Sequence, residues 1–543
     1  MALIQTLRQC TQLLISNFEM RQKLICIIWI FSICSCENLF HPEEISIGDI
    51  KNYNELITAT GGVYGKLAAA FTESYVYMVN LKGDDINNNA PNYNGYYGTY
   101  EYCWEERYYD EKTYTTWELF YSTVASINNI LVQFEQKANL DKPTREVLGE
   151  IYFLRAYCYF RLTRTYGEIP FIENNDISYT IAKSSYTRVY EFIEQDLLQA
   201  MKLLPSNNTS SRIPYETPHR GTAKILLTEV YLSWAGYPVK DFSMYTFAAR
   251  EAEEVIDSSG YFGFELMQDF ANLWDKDHLY NSEIAFALYY MSPSQTQETG
   301  LLNTTYGGRS YEYSNEQCFM TDPESPFLCL VSFCAEVNFY NLFPSNYRKN
   351  LTFFSTIYVP SEYYPLDTGY IHIEFVNPCN RIGYRKFLYD PYKIPVNQFY
   401  ETDDSSFFYF GNPRIYIFRF AQTLLTYAEA AARSGRLNEK AYECVNMIRR
   451  RANNVDIHSP SVYDLQPGLS PEAFADSVVW ERAWELAGEP EGRWFDLVRL
   501  EMVEDLPNLR HPQEGGPPET FDKSAYFFPV PEGDIDLNPN LGE

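Results

Sequence analysis

The chain has 543 residues, of which 45% are hydrophobic, so it is long enough and apolar enough to bury a sizeable core. Its 43 basic and 72 acidic side chains give a formal net charge of −29. This charge repels nucleic acids and anionic lipids, which are polyanions, and excludes a basic groove for DNA or RNA. Tyrosine is in excess, with 47 residues. Because tyrosine joins an apolar ring to a hydroxyl, it suits either a core or a wet binding surface.

A short apolar run, Leu24–Ile33, follows a basic start near the N-terminus. About ten residues are too few to span a bilayer, which takes about twenty, but they fit the apolar region of a secretory signal. The run ends in Ile33-Cys34-Ser35-Cys36, which resembles a bacterial lipobox. We therefore expect residues 1–36 to be an upstream start plus a lipoprotein signal, with Cys36 lipidated as the only membrane anchor. A plain cleaved signal is the alternative.

The next segments alternate between a tether, helices and one long loop. Residues 37–50 are polar and are interpreted as a tether, and a helical pattern follows over Tyr53–Ala70. Lys82–Glu111 has no periodicity and is rich in Gly and Asn, which predicts a long surface loop. Apolar residues at steps of three and four then predict helices over Thr115–Gln136, Arg145–Tyr166, Thr187–Leu204, Gly221–Trp234 and Met244–Ile256.

The helical spacing disappears between Tyr261 and about Pro413. Roughly 150 residues far exceed an ordinary connection, so we expect an insertion of short strands and loops that packs on the body or builds a site. Helices resume over Arg419–Ser434, Glu439–Asn453 and Pro471–Leu500, before an irregular tail. Helix pairs of this length predict a mostly α, tetratricopeptide-like body in which neighbours share one extended core.

The chain carries no motif for catalysis or for metal binding. No GxSxG, HExxH, P-loop or GxGxxG stands in a suitable context, and no Cys/His spacing fits zinc. We therefore expect no catalytic residues, no cofactor and no metal ligands. Cys158 and Cys444 fall inside helical patterns and are interpreted as small buried hydrophobes. Whether other cysteines pair in an exported protein is left open.

Three segments resemble the SusD/RagB family, the surface nutrient-binding lipoproteins of Bacteroidetes. They are GEIYFLRAYCYFRLTRTYGEIPFI, WERAWELAGEPEGRWFDLVRL and FFPVPEGDIDLNPNL, which span Gly149–Ile172, Trp480–Leu500 and Phe527–Leu541. The resemblance implies one SusD-like domain over residues 51–543. Its parts are a helical body over about 51–260 and 414–500, the irregular insertion over about 261–413, and a C-terminal tail over 501–543.

The resemblance also implies a function. Relatives capture oligosaccharide or polysaccharide at the outer-membrane surface, without catalysis, and deliver it to a SusC-like TonB-dependent transporter. Peptide capture, as in relatives resembling RagB, is a second hypothesis, and a surface glycoside hydrolase is a third. Charged residues in Trp480–Leu500 are interpreted as a network that fixes a helix corner, rather than as an acid/base pair. The turn Gly488–Gly492 is one residue longer than the family pattern.

Sugars are recognised by aromatic rings that stack on their C–H faces and by polar side chains that bind their hydroxyls. The loop from Tyr93 to Tyr109 is dense in aromatics, and Trp104 is the best candidate for a stacking surface. A second cluster, in the insertion, includes Tyr280. The predicted ligand-binding residues are Asp84, Asp85, Asn87, Tyr93, Tyr96, Tyr97, Trp104, Trp274, Tyr306, Arg309, Tyr313 and Arg385. Packing in the core or in a loop is the alternative for any single ring.

Overall fold

Long α-helices make up most of the structure. The computed structural model describes residues 49–72, 79–88, 104, 106–134, 137, 139–174, 180–289, 333–354, 356–360, 370–374, 383–384, 386, 414–512 and 517–542. Its helices are α1 (Tyr53–Thr72), α2 (Glu106–Phe134), α3 (Lys142–Tyr166), α4 (Tyr186–Leu203), α5 (Arg220–Trp234), α6 (Met244–Asp257), α7 (Ser259–Phe262), α8 (Phe270–Trp274), α9 (Val337–Leu342), α10 (Tyr347–Thr352), α11 (Phe420–Arg433), α12 (Glu439–Ala452), α13 (Pro471–Glu485), α14 (Arg493–Arg499), α15 (Leu506–Leu509) and α16 (Glu532–Leu537).

The described strands are short and pair two by two. They are β1 (Ile86–Asn88), β2 (Ile169–Pro170), β3 (Lys183–Ser184), β4 (Ile284–Tyr289), β5 (Phe333–Ala335), β6 (Phe353–Phe354), β7 (Thr356–Pro360), β8 (Tyr370–Glu374), β9 (Gly383–Tyr384) and β10 (Arg414–Arg419). The antiparallel pairs are β1 with β5, β2 with β3, β4 with β10, β6 with β9, and β7 with β8.

The central helix α3 shows how local sequence sets the helix ends. The Asp141 carboxylate accepts a hydrogen bond from the Thr144 amide (3.0 Å), and a proline follows at the first turn. At the other end Gly167 has a φ of +81°, which favours glycine and stops the helix. From Ile151 onwards every residue but Tyr152 is buried, because neighbouring helices, the strands β4 and β10 and the turn before α14 pack around it.

Each long helix packs on the next, and the insertion does not interrupt this order. Contacts run from α1 through α6 in sequence, and α6 then packs against α11, which in turn contacts α12 and α13. The predicted mostly α body of paired helices is therefore confirmed. Cys158 and Cys444 are buried free thiols within it, as the helical pattern predicts.

One predicted boundary is wrong. Helix α2 begins at Glu106, inside the segment predicted to be a loop. Its first turns carry aromatic and charged residues without a clear apolar stripe, so the periodicity did not predict this start. The predicted helical segment Pro471–Leu500 forms two helices, α13 and α14, on either side of the turn Gly488–Gly492, whose carboxylates are buried. Within the described ranges, every helix is too short or too polar to span a bilayer.

Candidate ligand-binding site

The loop after α1 and the insertion meet in the small sheet of β1 and β5. Asn88 at the end of β1 pairs with Phe333 at the start of β5, so the segment after β1 and the segment before β5 are attached at the same end of this sheet. The Tyr384 hydroxyl, in β9, donates a hydrogen bond to the carbonyl oxygen of Asp85 (2.8 Å). Residues from the segment after α1 and from two parts of the insertion therefore meet at one place, named here the loop junction: residues 79–88, 333–335, 383–384 and 386.

The turn between α13 and α14 is hydrogen-bonded to the loop junction. The Gly488 amide donates a hydrogen bond to the Asp85 carboxylate (3.0 Å), and the Asn80 side-chain amide donates to the carbonyl oxygen of Glu489 (3.1 Å). Gly488 has a φ of +73°, a conformation that side chains other than glycine rarely adopt. This turn therefore depends on glycine at position 488, and its hydrogen bonds to Asn80 and Asp85 fix it against the loop junction.

Two buried carboxylates tie the turn to the insertion and to the body. Glu489 pairs with Lys386 (2.8 Å) and Arg419 (2.9 Å), whereas Glu491 pairs with Arg161 (2.9 Å) and accepts a hydrogen bond from the Tyr157 hydroxyl (2.8 Å). Burial by itself raises the pKa of Glu489, but the cations of Arg419 and Lys386 outweigh it and hold that pKa below its usual value. The Glu489 side chain is thus ionised, and both carboxylates of the turn, Glu489 and Glu491, are paired with cations.

The ion pairs extend into a buried network. Arg419 also contacts Glu283 (2.7 Å) and Glu485 (2.9 Å), and Arg348 bridges Glu485 (2.8 Å) and Glu481 (2.7 Å). Burial opposes ionisation of Glu485, yet the surrounding arginines lower its pKa to about 2. The interpretation of the charges in Trp480–Leu500 as a structural network is confirmed, because all eight are buried and paired: Glu481, Arg482, Glu485, Glu489, Glu491, Arg493, Asp496 and Arg499.

Three predicted ligand residues of the loop junction, Asp84, Asp85 and Asn87, are buried inside the protein. The Asp84 side chain forms a two-pronged pair with Arg493 (2.7 and 2.8 Å), and Asp85 receives the Gly488 amide. Asp84 and Asp85 are 1% and 2% exposed, and Asn87 in β1 is 7% exposed. The prediction that these side chains contact ligand is at odds with their burial, and the polar atoms of Asp84 and Asp85 bond to groups inside the protein. We remove them from the candidate site.

The buried Asp85 carboxyl predicts a pH dependence of stability. Burial and then the neighbouring Asp84 charge raise the pKa of Asp85 from 3.8 to about 7, so the folded protein favours the protonated form. Its stabilising effect is complete below about pH 4 and is lost as the pH rises through about 7. Asparagine at position 85 does not titrate, so the stability of Asp85→Asn is expected to fall less with rising pH than that of the wild type. The Tm of the variant is therefore expected to rise relative to that of the wild type between about pH 4 and 8.

Differential scanning fluorimetry across that range tests the prediction. Asp141→Asn is the matched control, because hydrogen bonds from Thr144 lower the pKa of this exposed carboxyl and leave it ionised throughout the window. An Asp85→Asn slope equal to that of wild type contradicts the assignment.

Trp104 lies at the entry to α2 and keeps part of its ring exposed. Its ring centroid is 5.3 Å from that of Phe521 and 6.2 Å from that of Trp494. The buried Lys82 ammonium lies 4.7 Å from the Trp104 ring centroid and donates a hydrogen bond to the carbonyl oxygen of Ala525 (3.0 Å). A ring held by three neighbours and still partly open is positioned for stacking, so Trp104 remains in the candidate site.

Trp274 is core. It ends α8, is 3% exposed, and packs edge-on against Tyr416 at 5.0 Å between ring centroids. The Lys386 ammonium lies 4.8 Å from the same ring. The prediction that Trp274 touches ligand is therefore corrected, since this ring supports Lys386 and the strand pair of β4 and β10 from inside.

The remaining predicted residues lie outside the described part of the chain. They are the proposed lipidation site and seven predicted ligand contacts: Cys36, Tyr93, Tyr96, Tyr97, Tyr306, Arg309, Tyr313 and Arg385. Among the residues that are described, no group of three or more His, Cys, Asp or Glu side chains is arranged to hold a metal ion.

Two half-buried tryptophans on α13 were not among the predicted ligand contacts. Trp480 and Trp484 lie one helical turn apart, with ring centroids 5.9 Å from each other, and the Arg493 guanidinium lies 4.7 Å from the Trp480 ring. Their four-residue spacing was a usable signal, since it places both rings on one face of a helix.

Relatives of this chain are found both by sequence and by structure. A family model described as "SusD family" matches residues 241–543, and another, described as "Starch-binding associating with outer membrane", matches residues 50–232. SusD-like protein P2 of Formosa agariphila is 26% identical over 441 residues, which cover 78% of each chain.

Two solved structures share the fold over nearly the whole chain. A SusD homolog from Bacteroides thetaiotaomicron superimposes with a TM-score of 0.70 at 23% identity, covering 93% of this chain and 98% of that one. Surface glycan-binding protein A from Bacteroides fluxus gives 0.64 at 20% identity, covering 90% and 97%. Because the first family model spans more than half of the sequence and the fold agrees throughout, the chain belongs to the SusD family.

Proposed function

We propose that this protein binds oligosaccharide or polysaccharide at the outer surface of the outer membrane and does not cleave it. Membership of the SusD family, one of whose models is described as starch-binding and associated with the outer membrane, supports this proposal. The name of the related protein from Bacteroides fluxus also refers to surface glycan. The observation that carries the proposal is the partly exposed Trp104 ring beside a loop junction that buried ion pairs hold in place.

The chemistry of the junction suits a sugar. An aromatic ring stacks on the apolar C–H face of a pyranose, and a rigid support lets it do so without losing freedom on binding. Around it we propose ligand contacts from the residues predicted in the sequence: Tyr93, Tyr96, Tyr97, Tyr306, Arg309, Tyr313 and Arg385. At the junction, Asp84 and Glu489 are committed to arginine and lysine partners, and the Asp85 carboxyl is buried against the Gly488 amide, which argues against an acid/base role for them.

We further propose that the chain is lipid-anchored through Cys36 and passes its ligand to a SusC-like TonB-dependent transporter. In this arrangement the transporter supplies the energy for import and the present chain supplies selectivity. Co-purification of the full chain with such a transporter from outer membranes, lost when Cys36→Ala prevents anchoring, tests this part.

Binding is tested on the full chain by isothermal titration calorimetry. The titrants are neutral polysaccharides (an α-glucan, a β-1,3-glucan, a xylan and a mannan) and, in a parallel arm, a panel of unstructured peptides. The proposal expects at least one polysaccharide to bind and no new reducing ends to appear on incubation. Binding of peptides alone contradicts it, and release of reducing ends contradicts the non-catalytic role.

Removal of the Trp104 ring is expected to weaken binding of the polysaccharide identified in that way by about 1–3 kcal/mol, as for a stacking hot spot. Calorimetry on Trp104→Ala measures the loss, and Trp104→Phe, which keeps an aromatic face, is expected to lose less. A melting temperature equal to that of the wild type shows that each variant is folded. Unchanged affinity in Trp104→Ala removes this ring from the site.

A further inference from the structure

Three tyrosines that come from separate segments form a row on the protein surface. Tyr215 lies in the loop between α4 and α5, Tyr280 precedes β4, and Tyr289 ends β4. The Tyr280 ring centroid is 5.4 Å from that of Tyr289, with the rings 28° apart, and 6.1 Å from that of Tyr215, with the rings 37° apart. Tyr280, in the middle of this tyrosine row, is 52% exposed.

A carboxylate lies beside the tyrosine row. The Tyr280 hydroxyl donates a hydrogen bond to Oε1 of Glu216 (2.7 Å). In the described part of the structure, neither Oε2 of Glu216 nor the Tyr215 hydroxyl has a hydrogen-bond partner, and no cation pairs with Glu216. The row therefore combines apolar ring surface with one free acceptor and one hydroxyl that can donate or accept.

The backbone that presents the row is fixed in an uncommon conformation. Tyr215 has a φ of +67°, in the left-handed region that a bulky residue rarely adopts. Its amide is held by the side-chain oxygen of Asn208 (2.8 Å), and the same turn is closed by the Thr217 hydroxyl, which accepts from the Ile213 amide (3.1 Å). Strain of this kind persists only where surrounding contacts impose it, and it is concentrated at functional positions.

Simple surface packing is the competing explanation, and Phe242 illustrates it. That ring is 66% exposed and stacks on Tyr245 at 6.4 Å, yet no hydrogen-bonded carboxylate accompanies it. An anionic ligand is disfavoured at the tyrosine row, because Glu216 is unpaired there and the whole chain carries a net charge of −29.

We propose that the tyrosine row is a second binding point for a neutral glycan. A pyranose ring packs its C–H face on the exposed part of Tyr280 or Tyr215, and its hydroxyls bond to Oε2 of Glu216 and to the Tyr215 hydroxyl. This inference rests on the proposed function and extends it. A polysaccharide long enough to reach both Trp104 and the tyrosine row gains affinity from two linked contacts, whereas a short oligosaccharide does not.

The test compares chain lengths. The full chain and its Tyr280→Ala and Glu216→Gln variants are titrated with the neutral polysaccharide that the panel identifies, and with a tetrasaccharide cut from it. Phe242→Ala, at a more exposed ring, is the matched control. Tyr280→Ala is expected to lose roughly tenfold in affinity for the polysaccharide, corresponding to about 1.4 kcal/mol, with little change for the tetrasaccharide. Glu216→Gln, which preserves the rings, is expected to lose less, and Phe242→Ala nothing.

The outcomes separate this inference from the proposed function. If the wild-type chain binds no polysaccharide of the panel, both the proposed function and this inference are contradicted. If it binds and Trp104→Ala weakens binding while Tyr280→Ala equals wild type, the inference alone is overturned. It is likewise overturned if Phe242→Ala loses as much as Tyr280→Ala. Because Glu216→Gln leaves every ring in place, its loss of affinity in a normally melting protein supports the site even where Tyr280→Ala folds poorly.

Discussion

Replacement of Arg419 by methionine is expected to lower the free energy of unfolding by about 3–5 kcal/mol, because it removes one buried cation that three buried carboxylates share. The fully buried guanidinium contacts Glu283 at 2.7 Å and both Glu485 and Glu489 at 2.9 Å. Methionine fills similar volume, so the loss reports the missing charge rather than a cavity. Urea denaturation followed by far-UV circular dichroism measures the change.

Arg250→Met is the matched control for this substitution. Its side chain is 58% exposed and pairs with Glu251 on the surface of α6. Surface pairs of this kind contribute about 0–1 kcal/mol, so the control is expected to unfold close to wild type. Equal losses in Arg419→Met and Arg250→Met would falsify the view that burial of the network sets its importance.

The pair of Arg493 and Asp84 is expected to give the second large effect. Arg493→Met leaves the Asp84 carboxylate buried without its two-pronged partner, which costs about 3–5 kcal/mol. Asp84→Asn leaves the guanidinium uncompensated. The double variant, which removes both charges, is expected to be less destabilised than the sum of the two single variants.

A double-mutant cycle by urea denaturation measures this coupling. The Arg493 guanidinium also lies 4.7 Å from the Trp480 ring, and this contact is lost in both variants that lack Arg493, so it cancels in the cycle. Strict additivity of the two single substitutions contradicts the direct pairing of Asp84 with Arg493.

The helical body could be predicted from sequence because its signals are local. In α3, apolar residues recur at helical steps, Asp141 and a proline mark the start, and Gly167 marks the end. The start of α2 could not be predicted in this way, since its first turns have no apolar stripe. The burial of the turn between α13 and α14 could not be predicted either, because Glu489 and Glu491 look like solvent-exposed residues until their partners are known.

The candidate site was predicted less well, for a related physical reason. Polar side chains that bind a sugar and polar side chains that pair inside a protein are the same chemical types. Asp84 was assigned to ligand, but its partner Arg493 lies 409 positions later in the chain. Trp274 was assigned to ligand because it lies in an irregular region, yet Tyr416 and Lys386 cover it. Trp104 is the described candidate for which the partly exposed ring leaves stacking open.

The antiparallel pairing of β4 with β10 has a consequence for how such a chain acquires new ligands. Tyr289 lies opposite Arg414, so the long segment between them leaves and re-enters the body at neighbouring points. Its ends are already closed, and a doubling of loop length then costs only about 0.6 kcal/mol. Evolution can therefore lengthen or shorten this segment, provided that Arg348 and Lys386 still reach the buried network, while the helices continue from α6 to α11 unchanged, which lets recognition diversify on a constant scaffold.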